Sequence, residues 1–341
     1  MKRVLILFGG VSAEHEVSVI SGLQVVEKID RTKFDTYAVK LGQDGLFYFY
    51  NNLFKRKNYL TVKPQIVNFG RDKNGTFLKS IGLLNKNYYF DVVYLAFHGG
   101  NGESGQIQGM LEILNTPYTS SNVEGSVISM NKVLTKEVLE KNQITTVPWT
   151  RVFSEDIKKD VNKSVSDILK ILSLPVIIKP THLGSSIAIN VAKDKVELKK
   201  YLLEASHVDS EILIEKFMKT FVEYNVSVRC INGIVETSEI EKPMSKDEIL
   251  SFADKYQRGG KGSKGSGMAS LSRIIPAPIS SSLTNKIQEA TIKIFKAMDG
   301  CGVARVDYFV DKKKEKFYVN EINTIPGSFS FYLWEKTGIK Y

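Results

Sequence analysis

Apolar and polar positions alternate in two runs near the end of the chain, and this alternation predicts a β-hairpin. The first run covers residues 305–310 and the second covers residues 317–323, with a polar, lysine-rich segment between them. Strand side chains point alternately to the two faces of a sheet, so such alternation is typical of half-buried strands. The intervening segment predicts a turn centred near Lys314.

A turn at this position sets which side chains face each other. Asp307 and Glu321 are equidistant from the turn, and so are Arg305 and Asn323. Two carboxylates directly opposite each other repel unless a cation lies between them, and oxygen ligands of this kind suit Mg²⁺. The hairpin alone predicts either a Mg²⁺ site or a solvated face with a salt bridge.

Two strands in the N-terminal part of the chain lead into loops that contain glycine. The apolar residues 4–8 precede Gly9-Gly10 and a helical pattern, for which Ser12 is the predicted N-cap and Glu14 a first-turn acid. The fingerprint G-x-G-x-x-G is absent, so this turn does not predict a dinucleotide site. The helix start remains a site for a small ligand, where Glu14 either meets an ammonium group or only stabilises the helix.

The second of these strands, residues 91–97, predicts a ligand-binding loop. Five glycines lie between positions 99 and 109, so a ligand can approach the backbone closely there. Open α/β sheets bind ligands at the carboxyl ends of their strands. We therefore expect His98 and Glu103, which lie in this loop, to contact substrate, with a structural role as the alternative.

The middle of the chain contains a lysine placed like a phosphate ligand. Residues 174–178 form an apolar strand that leads through Lys179 to a Gly-Ser-Ser loop at 184–186. A lysine charge beside backbone N–H groups and hydroxyl donors is a phosphate-binding arrangement, although the motif is not the G-x-x-x-x-G-K-[ST] nucleotide loop.

The remaining pattern predicts further elements without assigning them a role. Helices are predicted over 132–141 and 155–170, and a strand over 211–217. A second hairpin is predicted over 223–240 across an Asn-Gly turn. Residues 51–88 are weakly patterned and predict little.

Composition narrows the class of protein. The chain has 341 residues, of which 43% are hydrophobic and 25% charged, as in ordinary soluble proteins of two or three domains. Two cysteines provide neither a disulfide framework nor a zinc site, and no apolar run approaches the ~20 residues needed to cross a bilayer. The short apolar start predicts a strand rather than a signal peptide. We therefore expect a cytoplasmic protein with no membrane partner.

The net charge of +10 admits nucleic acid, anionic membranes or phosphorylated small molecules as ligands. Most of the excess lysine is scattered along the chain, and no run of aromatic and basic residues resembles a base-stacking surface. We therefore expect no nucleic-acid partner, although the basic charge keeps a nucleic-acid-binding protein as an alternative.

Six motifs in a fixed order carry a resemblance to a known family. They are Gly9–Ser18 (G-G-x-S-x-E-x-E-V-S), His98–Glu112 (H-G-x-x-G-E-x-G-x-x-Q-G-x-L-E), Lys179–Ser186 (K-P-x-x-x-G-S-S), Asp254–Tyr256 (D-K-Y), Arg305–Asp307 (R-V-D) and Asn320–Gly327 (N-E-x-N-T-x-P-G). From residue 4 to about residue 327 the chain resembles the D-alanine–D-alanine ligases of the ATP-grasp superfamily. Each motif is modest alone, but the set separates this family from other ATP-grasp enzymes.

The resemblance implies an α/β fold, α+β in its C-terminal part, with three domains. These are a Rossmann-like N-terminal substrate domain (1–121), a central ATP-grasp lid domain (122–212) and a C-terminal ATP-grasp catalytic domain (213–341). The implied activity is an ATP-dependent carboxylate–amine ligase that makes D-alanyl-D-alanine through an acyl phosphate for peptidoglycan precursors. The resemblance also implies a cytoplasmic homodimer whose substrates are ATP and D-alanine.

The resemblance further implies roles for single residues. The residues implied to contact the nucleotide are Lys132 and Lys179 (phosphates), Glu215 (adenine), Glu223 (ribose) and Lys255 (transferred phosphate). Those on Mg²⁺, with Mn²⁺ as a second option, are Asp307, Glu321 and Asn323. Those on the acyl substrate are Glu14 (ammonium of the first D-alanine), Ser185 and Tyr256 (hydrogen-bonded partners of Glu14), and Arg305 with the backbone N–H of Gly327 (oxyanion).

The sequence departs from the family pattern after Gly327. Family members have a longer segment with a serine for the second substrate's carboxylate, whereas this chain has a short aromatic segment that offers Ser328 or Ser330. The acceptor is therefore open between D-alanine, D-serine, D-lactate and another amino acid, with Tyr256 favouring an amine over lactate. The family pattern also continues into a terminal helix, and the end of this sequence at Tyr341 leaves truncation open.

The segment 257–267 is unusually rich in glycine and lysine. It is either a surface loop or a cationic lid over phosphates or over an acidic acceptor.

A catalytically idle nucleotide-binding homologue is the remaining functional alternative for the protein as a whole. The complete set of charged residues argues against it, namely Lys132, Lys179, Arg305, Asp307, Glu321 and Asn323.

Overall fold

The computed structural model describes residues 1–81, 86–184, 188–218, 220–244, 273–311 and 315–340. The roles predicted for Ser185, Lys255 and Tyr256, and the two interpretations of segment 257–267, lie outside the described residues. Within the described part, three sheets with flanking helices form a mixed α/β fold, which confirms the predicted class. No helix of that part has the length and apolar character needed to span a bilayer.

A seven-stranded sheet occupies the N-terminal part. Its strands are β1 (Lys2–Gly9), β2 (Phe34–Leu41), β3 (Phe47–Tyr50), β4 (Gln65–Asp72), β5 (Gly75–Ser80), β6 (Asn87–Phe90) and β7 (Val92–Phe97), in the order β6-β5-β4-β3-β2-β1-β7. Strand β1 is parallel to both β2 and β7, and the remaining pairs are antiparallel. The carboxyl ends of β1 and β7 therefore lie side by side, and the two predicted ligand-binding loops begin there.

Helix α1 (His15–Lys28) packs against β1 and β7. It begins at His15 with Glu14 in the cap position, so the prediction that Ser12 caps it is wrong. The Ser12 hydroxyl instead donates to the carbonyl oxygen of His98 (2.9 Å), which ties the loop after β1 to the loop after β7.

A four-stranded antiparallel sheet follows, in the order β10-β9-β11-β8. Its strands are β8 (Trp149–Phe153), β9 (Val176–Pro180), β10 (Asn190–Ala192) and β11 (Glu211–Lys216), and its helices are α5 (Ser154–Lys159), α6 (Val161–Ile171) and α7 (Lys195–Ser206). In the sequence, the helices that connect the first sheet to the second are α2 (Gln106–Ile113), α3 (Val123–Met130) and α4 (Lys132–Lys141). The predicted helix 155–170 is two helices because the Asp160 carboxylate caps α6, accepting from Asn162 and Lys163 (3.0 Å each).

A five-stranded antiparallel sheet forms the C-terminal part, in the order β14-β13-β12-β15-β16. Its strands are β12 (Val222–Ile231), β13 (Ile234–Pro243), β14 (Arg273–Ile274), β15 (Val303–Asp311) and β16 (Lys316–Asn323), with helices α8 (Ser281–Ala297) and α9 (Phe331–Lys336). Both predicted hairpins are present. Trp334 of α9 donates to the Ser227 hydroxyl (2.9 Å), so α9 covers the face of the sheet that carries Ser227.

Buried apolar side chains form separate clusters around the three sheets. Leu95 belongs to the first, Ile178 to the second and Val306 to the third. Helix α4 contributes Leu139 to the third cluster and so connects it to the middle of the chain. The domain limits at 121/122 and 212/213 stay a prediction.

Candidate active site

A cavity of about 100 Å³ lies where the loops after β1 and β7 meet helix α4 and the β15–β16 hairpin. Eight of the residues predicted to form the site line it, namely Glu14, His98, Glu103, Lys132, Arg305, Glu321, Asn323 and Gly327. They come from distant parts of the sequence, and the fold brings them around one space. We call this space the catalytic cavity.

The β15–β16 hairpin has the register that the sequence predicts. Asp307 is paired with Glu321 and Arg305 with Asn323. Beyond Asp307 the register shifts by one residue, since Tyr308 pairs with Val319, and this bulge leaves Asn320 unpaired. Directly paired residues share a face, so these four polar side chains lie together on one side of the sheet.

Arg305 and Asp307 form a buried, two-bond ion pair on that face. Arg305 Nε donates to Asp307 Oδ1 (2.6 Å) and Nη2 donates to Oδ2 (2.7 Å), and Asn323 Nδ2 also donates to Oδ2 (3.3 Å). Burial alone lowers the pKa of an arginine, but the charge and hydrogen bonds of Asp307 raise the pKa of Arg305 well above its ordinary value. The guanidinium is therefore permanently charged at the cavity wall.

Glu14 lies between two glycines. A Cβ on Gly99 would lie 2.4 Å from Glu14 Oε2, and a Cβ on Gly184 would lie 3.0 Å from it. Gly99 also has a φ of +65°, which side chains rarely adopt. Glycine at these positions lets two loops close around the Glu14 carboxylate.

His98 is a neutral, fully enclosed side chain. Its Nε2 lies 2.7 Å from the Ser21 hydroxyl of α1. Burial lowers the pKa of His98 to about 4, and the positive charge of Arg305 lowers it further, against a hydrogen bond with the backbone of Ile325. His98 therefore orients groups at neutral pH and carries no charge of its own.

Glu103 joins the loop after β7 to the loop after β16. Its Oε2 accepts from the backbone N–H of Gly99 (2.8 Å) and its Oε1 accepts from that of Ile325 (3.2 Å). Burial raises the pKa of Glu103 to about 7, and the charges of Glu14 and Glu321 raise it as well. The Glu103 side chain, which joins the loop after β7 to the loop after β16, therefore has a pKa close to neutral pH.

We expect this carboxyl to set a pH dependence of stability. Its pKa of about 7 in the folded protein exceeds the ordinary value of 4.5, so the folded protein keeps a proton that the unfolded chain releases. The free energy of unfolding then falls as pH rises from about 4.5 to 7, by up to about 3 kcal/mol. Urea unfolding at pH 5 and pH 7.5 measures the change.

The matched comparison is between Glu103→Gln and Glu27→Gln, an exposed carboxylate of the same sheet region. Glu103→Gln should lose this part of the pH dependence and Glu27→Gln should keep it. His98 contributes the opposite slope below its ordinary pKa of 6.5, but it is present in all three proteins and cancels. Equal profiles in all three proteins would contradict the assignment.

Lys132 is the first residue of α4, whose N-cap Asn131 accepts from the backbone N–H of Leu134 (2.9 Å). Its Nζ donates to the carbonyl oxygens of Leu183 (2.5 Å) and Thr181 (3.4 Å). Burial lowers the pKa of Lys132, while the negative charge of Glu321 opposes this. The ammonium lines the catalytic cavity and faces the hairpin carboxylate.

Lys179 and Glu215 lie behind this cavity rather than on its wall. Lys179 Nζ pairs with Glu215 Oε2 and donates to Asn320 Oδ1 (3.2 Å), and Lys136 Nζ pairs with Glu215 Oε1 (2.5 Å). Burial would raise the pKa of Glu215, but the two lysines outweigh it and lower that pKa to about 2. We call these three side chains the Lys–Glu–Lys cluster.

A second cavity of about 360 Å³ lies between β11 and the tip of the hairpin. It is lined by Lys216, Phe217, Met218, Asp311 and Tyr318, among others. Tyr318 is paired with Phe309, so it lies on the same sheet face as Asp307. The predicted ribose ligand Glu223 is paired with Phe309 on its other side. The two cavities therefore follow one face of the hairpin.

Comparisons with known proteins identify the family of the chain. The family model described as D-ala D-ala ligase N-terminus matches residues 3–121, and the one described as D-ala D-ala ligase C-terminus matches residues 138–341. The chain is 34% identical to the D-alanine–D-alanine ligase of Thermosipho melanesiensis, covering 100% of this chain and 91% of that protein. It is also 34% identical to that of Clostridium acetobutylicum, covering 100% and 94%.

This chain belongs to the D-alanine–D-alanine ligase family. The solved D-alanine–D-alanine ligase of Coxiella burnetii superposes with a TM-score of 0.79 at 28% identity, covering 100% of this chain and 91% of that one. The D-Ala:D-Ser ligase VanG of Enterococcus faecalis, at 24% identity, superposes with a TM-score of 0.81 over 99% and 96% of the two chains and shows a shared fold. The ATP-grasp fold predicted for the chain is confirmed.

The hairpin residues of this ligase family member fit Mg²⁺. Asp307 and Glu321 face each other. The side-chain amide N–H of Asn323 donates to Asp307, and the side-chain carbonyl oxygen of Asn323 can therefore still accept. Among the described residues no three His, Cys, Asp or Glu side chains form a metal cluster. Mg²⁺ usually takes one or two carboxylates together with substrate phosphates and water, so two facing carboxylates and an amide oxygen are compatible with it.

The structure separates the predicted site residues into two groups. The first group lines the catalytic cavity, and Asp307 holds Arg305 of that group from the sheet. Lys179, Glu215 and Glu223 belong to the stretch between the two cavities. Ser328 and Ser330, proposed from sequence for the acceptor carboxylate, are buried and are not part of the cavity lining.

Sequence reasoning missed Lys136. It lies four residues after Lys132 on α4, and residues at this spacing share a helix face. A second lysine on the face that carries a predicted phosphate ligand was the available signal.

Proposed function

We propose that this protein is an ATP-dependent D-alanine–D-alanine ligase that makes the dipeptide for peptidoglycan precursors. The observation that carries the proposal is the catalytic cavity, which places Glu14, Lys132, Arg305 and Glu321 around one space. An ammonium anchor, a phosphate ligand, an oxyanion stabiliser and a metal ligand are together the groups that acyl-phosphate chemistry requires.

The first half-reaction activates the donor. The ammonium of the first D-alanine binds Glu14, and its carboxylate attacks the γ-phosphorus of ATP to give an acyl phosphate and ADP. Lys132 and Lys179 neutralise the negative charge on the phosphates. Asp307, Glu321 and Asn323 would hold Mg²⁺ or Mn²⁺, which would supply additional charge neutralisation to the phosphates.

The second half-reaction forms the amide. The deprotonated amine of the second D-alanine attacks the acyl carbon, a C–N bond forms, and the C–O bond to phosphate then breaks. Arg305 and the backbone N–H of Gly327 stabilise the negative oxygen of the tetrahedral intermediate. Because Arg305 is fixed by Asp307, this stabilisation is in place before the reaction begins.

The acceptor is the part of the proposal with a competing candidate. Ser328, Phe329 and Ser330 have φ values of +49°, +56° and +50°, so the shortened segment makes a tight left-handed turn into α9. Neither serine lines the catalytic cavity. Recognition of the acceptor carboxylate must then use other groups, which favours a same-family ligase with another acceptor as the second candidate.

We expect the protein to release phosphate from Mg-ATP when D-alanine is the sole amino acid. The assay compares D-alanine alone with L-alanine, and then with mixtures of D-alanine and D-serine, D-lactate or other amino acids. Turnover with D-alanine alone supports the proposal, and L-alanine should give none. If D-alanine alone is inert but a mixture turns over, the donor assignment holds and the acceptor changes.

We also propose the three-domain division at 1–121, 122–212 and 213–341, a cytoplasmic location and a homodimer, on the basis of the family resemblance. The two family-model boundaries at 121 and 138 are compatible with the first limit. Light scattering of the purified protein checks the dimer, and a monomer at micromolar concentration would rule it out.

A further inference from the structure

The Lys–Glu–Lys cluster has more positive charge than its carboxylate needs. Glu215 contacts Lys136 through one oxygen and Lys179 through the other. The side chains of Lys136, Glu215 and Lys179 are only 3%, 2% and 10% exposed. One buried lysine suffices to compensate one buried carboxylate, so the second lysine requires a separate explanation.

The position of the Lys–Glu–Lys cluster explains the presence of the second lysine. Its Lys179 contacts Asn320, and Asn320 lies between Tyr318, which lines the second cavity, and Glu321, which lines the catalytic cavity. Glu215 directly precedes Lys216, another residue of the second cavity. The cluster therefore lies between the two cavities along one face of the hairpin.

A nucleotide that reaches both cavities has to pass its phosphates at this point. Its base would occupy the larger cavity beside β11, and its terminal phosphate would reach Lys132 and the hairpin carboxylates. Lys179 is a buried cation at this point, but in the structure its ammonium is paired with Glu215.

We propose that nucleotide binding exchanges the partner of Lys179, and that Lys136 is the positioning residue that makes this exchange favourable. Lys179 moves from Glu215 to the phosphates, while Lys136 stays on Glu215 and keeps that buried carboxylate compensated. Without Lys136, release of Lys179 leaves a buried charge unpaired, which is strongly unfavourable. The proposal rests on the ATP-dependent function proposed above.

The exchange also leaves Glu215 available for the adenine contact that the family resemblance implies. Once Lys179 has left, Glu215 Oε2 is an acceptor at the edge of the second cavity, and Lys136 holds its direction. An exocyclic amine of a purine base is a donor of the matching kind. Lys136 touches neither cavity lining, so it acts through Glu215.

The first test compares Lys136→Met with Lys141→Met, an exposed lysine of the same helix. Lys136→Met should weaken ATP binding by at least tenfold in calorimetry, raise the KM for ATP to match, and leave the KM for D-alanine and the saturated kcat within about threefold. Lys141→Met should behave like the unchanged protein. Equal ATP affinity in both variants would overturn the proposal.

A double variant separates charge compensation from general damage. In Lys136→Met with Glu215→Gln there is no buried carboxylate left to compensate, so ATP affinity should recover by at least threefold over Lys136→Met. A merely structural role for Lys136 gives a double variant that binds ATP no better than the single one. Circular dichroism melts establish that each variant is folded.

A second measurement does not depend on the fold of Lys136→Met. Glu215→Gln removes the carboxylate that holds Lys179, so inorganic tripolyphosphate should bind this variant at least fivefold more tightly than the unchanged protein. Unchanged tripolyphosphate affinity would show that Glu215 does not hold Lys179 back. The ATP and tripolyphosphate binding measurements contain no D-alanine, so their results can be interpreted even if the ligase assay shows no activity.

Discussion

Glu321→Gln lowers the kcat for D-alanine ligation by on the order of 10³-fold, the loss expected when a group that stabilises phosphoryl transfer is removed. Glu321 faces Asp307 across the hairpin and lines the catalytic cavity opposite Lys132. The substitution keeps the shape of the side chain and removes its charge. It therefore removes a proposed metal ligand and, with it, the negative charge that favours the charged form of Lys132.

The measurement is phosphate release as a function of Mg²⁺ concentration, with Glu315→Gln as the control. Glu315 lies on the same hairpin but is exposed near its tip. Glu321→Gln should need at least tenfold more Mg²⁺ for half-maximal activity, whereas Glu315→Gln should match the unchanged protein. An unaltered Mg²⁺ requirement in Glu321→Gln, with activity lost, would mean that Glu321 is not a metal ligand.

The register of the hairpin could be predicted because its polar residues are confined to one face. A slip of one residue would move Asp307 and Arg305 to the face that buries Val306 and Tyr308, which the apolar core does not allow. The bulge at Asn320 could not be predicted, because an extra residue leaves the alternation on either side intact. That bulge brings Asn320 to Lys179.

Sequence reasoning missed two strands that each bury only one apolar side chain fully. Residues 51–88 predicted almost nothing, yet they contain β4 and β5. In β4 only Val67 is fully buried, so no apolar periodicity marks the strand. The Ser12 cap was wrong for a different reason, since the Ser12 hydroxyl accepts from the backbone N–H of Glu14, which lies before the first turn of α1.

The residues that line the catalytic cavity could be predicted from the sequence, whereas the ion pairs and hydrogen bonds among the site residues could not. Seven of the eight predicted residues that line the catalytic cavity belong to the motifs, and the family resemblance added Lys132. The pairing of Glu215 with two lysines depends on how α4 packs beside β9 and β11, and no local pattern encodes that packing. The same holds for Glu103, whose two backbone partners lie in loops that follow strands of different sheets.

Arg305→Met should both destabilise the protein and lower its activity. It leaves the fully buried Asp307 without its guanidinium, and breaking a buried pair in this way lowers the free energy of unfolding by about 3 to 5 kcal/mol. It also removes the proposed oxyanion stabiliser, for which a loss in kcat of about 10² to 10³-fold is typical. Arg3→Met, which breaks the exposed pair with Asp91, should change stability by only about 0 to 1 kcal/mol.

The two effects of Arg305 can be separated by removing its partner as well. Arg305→Met with Asp307→Asn buries no unpaired charge, so urea unfolding at pH 7 should show that most of the lost stability returns. Phosphate release should stay low, because both the oxyanion stabiliser and a metal ligand are gone. A double variant as unstable as Arg305→Met would mean that Arg305 stabilises the fold by packing, and one that regains activity would remove Arg305 from the chemistry.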